Sequence, residues 1–288
     1  AECRGERMHA VLLPKTRIVV HTIRAVRREL RRVFIVAKGR GPLIMFARLE
    51  HAGAAFDGAW DVHDTEAGRA RLLRMGEGVE APAGTTSPRP YSVFMDIYAA
   101  MGRMHMREYG TTQREFAAVA AKNHQHSVHN PLAQYRDAYT IEQVLAAPPI
   151  TYPVTLPMCS PVSDGAAAAI VCNAAGLKAL KGDRARAIRV LGCALQTGAE
   201  RDAADFEHHL VRLASKRLYE QAGIGPQDVG VAEVHDATAI GEVLQSELLG
   251  LVPMGQGGPA ALKGVTTIGG RIPINPSGGL ESKGHPIG

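Results

Sequence analysis

Between residues 187 and 250 the chain alternates twice between a short β-prone run and a longer helical run, and this alternation limits the fold more than any other stretch. Residues 187–194 read as a strand, and 206–222 as a helix that Gly223 ends. Residues 231–234 read as a second strand, and 238–249 as a second helix, ended by Gly250. Glycine closes a helix because it adopts the left-handed conformation without a Cβ penalty. Strands alternating with helices of this length predict an α/β sheet with helices packed on its faces. In such sheets, ligands gather where strands end and helices begin. His235 and Asp236 occupy that junction, and an imidazole there can work as an acid or base near neutral pH.

A second histidine sits in a very different setting. In the closing stretch 275–288, four glycines and two prolines frame His285. Positive-φ glycines and fixed-φ prolines build a turn that can place one imidazole precisely.

Upstream, residues 91–109 and 113–126 read as two helices separated by Gly110. Thr111 or Thr112 is the N-cap of the second, with Glu115 at the capping-box position. Met95, Met101, Met104 and Met106 read as core filler. His124, His126 and His129 do not have a zinc spacing on a helix, so no metal site is expected. A short helix begins at Thr140, a Pro-rich extended segment covers 148–161, and 166–172 reads as a packed strand. Cys159 reads as a small buried residue, because no helix N-terminus follows to lower its pKa. The Gly/Pro-rich stretch 76–90 is a connector. Near the start, an Arg-rich helical pattern precedes a strand at 33–37, and nothing aromatic interleaves the arginines as in a nucleic-acid platform.

The hydrophobic fraction of 45%, the charged fraction of 21% and the net charge of +5 describe a globular chain that favours anionic ligands such as phosphates or coenzyme A. The four cysteines (Cys3, Cys159, Cys172 and Cys193) show no CxxC spacing, which fits free thiols and a cytoplasmic setting. No apolar run is long enough to predict a membrane span. Dinucleotide, P-loop and GxSxG signatures are absent from the sequence.

His235-Asp236-Ala237 at a strand end, taken with Asn275-Pro276-Ser277-Gly278-Gly279 and Ser282-Lys283-Gly284-His285-Pro286, resembles the C-terminal half of a thiolase. The resemblance is to the sterol-carrier-protein or lipid-transfer-protein type, whose segments read HDxF and NPSGGxxSKGHPxG. Thr238 stands where the aromatic is usual. Lys122-Asn123-His124, Asn130-Pro131, Ser163-Asp164-Gly165 with the following alanines, and the 56–62 segment FDGAWDV extend the likeness over residues 46–288. It implies a thiolase-like α/β fold of two similar halves, each with a mixed five-stranded sheet flanked by helices, and an inserted helical loop domain, incomplete at both termini. The corresponding divisions are 1–90 (remnant of the N-terminal half), 91–160 (loop domain) and 161–288 (C-terminal half).

The resemblance also implies a mechanism. A cysteine thiolate attacks an acyl-CoA thioester to give an acyl-enzyme. His285 is the histidine beside that thiolate, and His235 helps hold an oxyanion-hole water. Ser277, Gly278 and Gly279 are expected to bind substrate. Cys3 is the positional candidate for the nucleophile, since it lies upstream of the 56–62 segment with a helix and a strand between, in the family's order. The acid/base cysteine of a CxG turn would fall beyond Gly288. No cofactor is expected, coenzyme A entering as substrate thioester, and the partners expected are an acyl-CoA, a second copy in a homodimer, and in one reading a small partner protein, with no nucleic acid. Three readings remain open: an acyltransferase on fatty-acyl or sterol side-chain thioesters, a retro-aldolase on steroid side-chain CoA esters, and a non-catalytic lipid- or CoA-binding remnant.

Overall fold

The computed structural model describes residues 8–11, 34–38, 43–47, 65–165, 169–180, 184, 187–198 and 201–286. Cys3, the predicted basic helix and the 56–62 segment lie outside these residues. In chain order the elements are β1 (Met8–Val11), β2 (Phe34–Lys38), β3 (Leu43–Ala47), α1 (Thr65–Arg74), α2 (Val93–Tyr109), α3 (Gln113–Ser127) and α4 (Ile141–Ala146). There follow β4 (Pro149–Thr151), β5 (Val154–Thr155), β6 (Ile170–Asn173), α5 (Ala174–Ala179), β7 (Ala187–Ala194) and α6 (Leu210–Ala222). The chain continues through β8 (Val229–Glu233), α7 (Ala239–Leu248), α8 (Gly257–Leu262) and α9 (Gly279–Lys283).

The described strands form one six-stranded mixed sheet, ordered β6-β1-β7-β2-β3-β8, and a small β4-β5 hairpin. β1 lies antiparallel between β6 and β7, with Val11 opposite Ile170 on one side and Ala187 on the other. β2 is antiparallel to both β7 and β3, and β3 runs parallel to β8. At the C-terminal end of β8, Ala232 accepts from the Asn275 N–H at 2.8 Å and donates to the Pro273 carbonyl at 3.0 Å. The closing stretch is thereby attached to the strand that leads into His235.

Two helices are enclosed by the others. α3 starts with the predicted capping box, in which Thr112 is the cap: its hydroxyl accepts from the Glu115 N–H, and the Glu115 carboxylate accepts from the Thr112 N–H. Ala117, Ala118, Ala120 and Ala121 keep α3 slim, so α4, α7, α8 and α9 all pack on it. Its buried C-terminal half is polar (Lys122, Asn123, His124, His126 and Ser127), and burial of that kind requires partners. Every residue of α7 is buried. The core between these helices and the sheet includes Phe116, Val119, Ile240, Val243, Leu248, Ile272 and Ile274, each large side chain contributing roughly 1.5–3 kcal/mol of burial.

Three predicted elements shift. The helix expected over 206–222 begins at Leu210, because the Asp205 carboxylate accepts from the His208 N–H and turns the chain first; the His209 ring then caps Val211. The strand expected over 166–172 is described from Ile170 to Asn173. The extended segment 148–161 is a hairpin followed by a 3-10 turn at Leu156–Met158. No helix among the described residues is long and apolar enough to cross a membrane.

Candidate active site

His235 follows β8 by two residues, and the turn it starts is set by Thr238, whose hydroxyl accepts from the Gly241 N–H and caps α7. His285 lies just beyond α9. Its backbone N–H donates to the Pro161 carbonyl at 3.2 Å. The residues before Pro161 run beside the His235 turn: Ser160 N–H donates to Ala237 carbonyl at 3.0 Å, and Cys159 bridges Thr238. The segment that follows α3 clasps the closing stretch from the other end, through Asn130 to the Ser277 carbonyl and Tyr135 N–H to the Ser282 carbonyl.

These constraints bring the two predicted histidines together. His235 Nε2 and His285 Nε2 are 3.0 Å apart, and the rings stand nearly perpendicular. In a neutral pair, one nitrogen donates and the other accepts. Burial lowers the pKa of His285, so it is neutral at neutral pH and available as a base. Both rings line a cavity of about 1010 Å³ whose other walls are largely apolar, with Phe94, Met95, Tyr98 and Leu244 among them. A large apolar pocket with a few convergent polar groups has the form of a small-molecule site.

Ser277, Gly278 and Gly279 do not line that cavity; they build the turn. The Ser277 N–H and hydroxyl both donate to the Glu233 carboxylate, at 3.0 and 2.7 Å. Gly278 and Gly279 have φ of 99° and 62°. A Cβ on Gly278 would stand 2.5 Å from that of Ser127, and one on Gly279 would collide with the Asp236 carboxylate. Only glycine lets the closing stretch lie this close to both α3 and the His235 turn.

Cys159 lines the same cavity, which its flanking prolines did not signal. Burial pushes its thiol pKa up, so it stays protonated at neutral pH. His124 and His126 have structural partners: the Pro157 carbonyl at 3.2 Å for the first, and for the second the Asn275 carbonyl at 3.0 Å and the Ile268 N–H at 3.0 Å. Among the described residues no group of three or more His, Cys, Asp or Glu is placed to hold a metal ion.

Residues 192–288 match the family model described as thiolase C-terminal domain-like. Acetyl-CoA acetyltransferase of Methanothermobacter thermautotrophicus is 39% identical over 210 residues, 73% of this chain and 53% of that protein. The chain belongs to the thiolase superfamily. Sterol carrier protein 2 of Rattus norvegicus is 39% identical over 201 residues, 67% of this chain and 36% of that protein. Among solved structures, the Ltp2-ChsH2(DUF35) aldolase aligns with a TM-score of 0.56 and 27% identity, covering 81% of this chain and 59% of that one. The chain spans about a third to a half of the length of the curated thiolase-superfamily relatives it matches. The thiolase-like fold read from the closing motifs is therefore the fold of this chain.

Proposed function

We propose that this chain supplies the histidine pair and the acyl pocket of a thiolase-type acyltransferase acting on acyl-CoA thioesters. The observation that carries the reading is the 3.0 Å approach of the two Nε2 atoms on the wall of a largely apolar cavity. In this scheme the His285 nitrogen takes a proton from a cysteine thiol, for which Cys3 is the candidate. The thiolate attacks the thioester carbon while the C–S bond to coenzyme A breaks, and the departing sulfur recovers the proton from His285. An N–H of the pair faces the carbonyl oxygen as negative charge develops on it. The apolar walls take the acyl chain, fatty or sterol-derived, and exclude water from the acyl-enzyme.

The neutral His285 and the protonated Cys159 also suit a second reading, retro-aldol cleavage of a β-hydroxyacyl-CoA, for which the aldolase among the structural relatives is the motive. There an imidazole removes the β-hydroxyl proton, the Cα–Cβ bond breaks to a carbonyl product, and the enolate is reprotonated. Intact-mass analysis of the chain incubated with a medium-chain acyl-CoA separates the two. The acyltransferase reading predicts one added acyl group, lost in Cys3→Ala and slowed in His285→Ala. Labelling that survives Cys3→Ala would remove Cys3 from its role. Carbonyl release from a β-hydroxyacyl-CoA with no mass gain would replace the transferase by the lyase.

A further inference from the structure

A second group of buried polar side chains, none of which lines the cavity, joins the two segments that carry the histidines. Asp236 directly follows His235, and Glu281, on α9, precedes His285 by one helical turn. Between them lie Glu242 of α7, Lys122 and Asn123 of α3, and Asn275. All six are at most 2% exposed. The Lys122 ammonium spends its three hydrogens on Glu242 (2.8 Å), the Asn123 side-chain oxygen (2.6 Å) and the Ile274 carbonyl (2.8 Å). The Asn123 amide donates to Asp236 at 3.1 Å and to Glu242 at 2.8 Å, and Asn275 donates to Glu242 at 2.9 Å. Asp236 also accepts the Leu280 N–H, from α9, at 2.8 Å.

We infer that Glu281 is a positioning residue for the histidine pair: it retains a proton inside this sealed cluster, and that proton allows α9 to seat against Asp236 so that His285 meets His235. The inference rests on the reading of that pair as the reacting groups. Three carboxyl groups share this space with one buried ammonium, and two uncompensated charges in such a place would cost far more than the packing of α9 returns. The other charged or titratable groups that face it do not balance the excess: the Cys159 thiol is kept protonated by burial and brings no charge. Lys283, on α9, is half-buried, and its ammonium reaches the Ser277 hydroxyl. Glu233, the last residue of β8, is another carboxyl group and is occupied by Ser277. His126 of α3 is kept neutral by burial and by Lys122.

The hydrogen bonds decide which carboxyl holds the proton. The oxygens of Glu242 and Asp236 already meet at least two donors each. Neither oxygen of Glu281 meets a donor of good geometry, and both are sealed from solvent. Burial first, then Asp236 and Glu242, raise the Glu281 pKa, and Lys122 and Asn123 oppose this more weakly. Asp236 is pushed the same way by burial and Glu242, against the pull of the Leu280 N–H and the two lysines. Loss of the proton at alkaline pH would set α9 against Asp236 by like-charge repulsion and part the two imidazoles. Glutamine at 281 keeps the shape and a donor hydrogen with no proton to lose.

Infrared difference spectra of the whole chain test this, read beside imidazole NMR of His285 and His235. The expected result is a carboxylic-acid carbonyl band at neutral pH that is absent from Glu281→Gln. As pH rises, the two imidazoles should separate in the parent, and in the variant they should stay together to a higher pH. A band that persists in the variant, or imidazoles that separate at the same pH in both proteins, overturns the inference. Should the variant not fold, the parent decides alone: the band must vanish and the imidazoles must part over the same pH interval, and either change without the other is contradictory. Neither readout needs turnover, so a chain that transfers no acyl group would refute the proposed reaction and leave this test standing.

Discussion

Two histidine sites in this molecule use similar parts for opposite ends. His105 of α2 is fully buried; its Nδ1 meets the Thr111 hydroxyl at 2.8 Å and its Nε2 meets Glu247 at 2.9 Å. Hydroxyl, imidazole and carboxylate thus stand in the order of a hydrolase triad, yet no member lines the cavity. The other Glu247 oxygen accepts the Gly257 N–H at 2.7 Å, so the group fastens α2, α7 and α8 together. The His235–His285 pair has no carboxylate between its rings and opens onto the cavity. The comparison teaches that a triad-like constellation is structural when every polar atom is satisfied and sealed, and that access, together with an acceptor held ready, is what makes an imidazole usable.

That contrast can be broken by mutation. His285→Ala should reduce acyl transfer by about 10²–10⁴-fold, the usual worth of a general base, with little loss of stability. Single-turnover acylation and chemical denaturation, measured side by side, check this, and an equal loss in both would make the pair structural too. Glu247→Ala should do the reverse, lowering unfolding free energy by about 1–3 kcal/mol for each buried donor left without its acceptor. Denaturant midpoints read that loss, and acyl transfer by the remaining folded fraction should be unchanged.

A third histidine sharpens the distinction. Burial and Lys122 depress His126 to a pKa of about 4, so in the folded chain it resists protonation between its ordinary value of 6.5 and that point. The unfolded chain binds the extra proton first, so stability is full above pH 6.5 and declines as pH falls toward 4. The decline should reach roughly 3 kcal/mol and be absent in a His126→Gln variant; pH-dependent denaturation curves measure it. Thr112→Ala should have the smallest effect, about 1 kcal/mol from the lost cap of α3. Thermal unfolding should show that loss with the acyl-transfer rate of the folded protein untouched.

Much of the site was readable along the chain because its signals are local. Glycines and prolines around His285, a strand leading to His235, and the Thr112–Glu115 cap each lie within a few residues. The partnerships that give those residues their meaning are not local. His105 finds Glu247 across 142 residues, and Lys122 reaches the Ile274 carbonyl across 152. No periodicity reports such distances, so nothing along the chain announced that the polar half of α3 is enclosed. Gly278 and Gly279 announced a turn but not the close passage past Ser127 and Asp236 that it makes. The delayed start of α6 was visible in principle, since Asp205 precedes His208 at the spacing of a side-chain turn.

The central claim is that the His235–His285 pair, and not the enclosed imidazoles of His105 and His126, meets the acyl-CoA. Imidazole NMR of the chain titrated with a non-hydrolysable acyl-CoA analogue tests it most directly. Signals of His235 and His285 should move together on addition of the analogue, while those of His105 and His126 stay in place. An analogue that binds yet leaves the His235 and His285 imidazoles unmoved, or that moves His105 instead, would contradict the account.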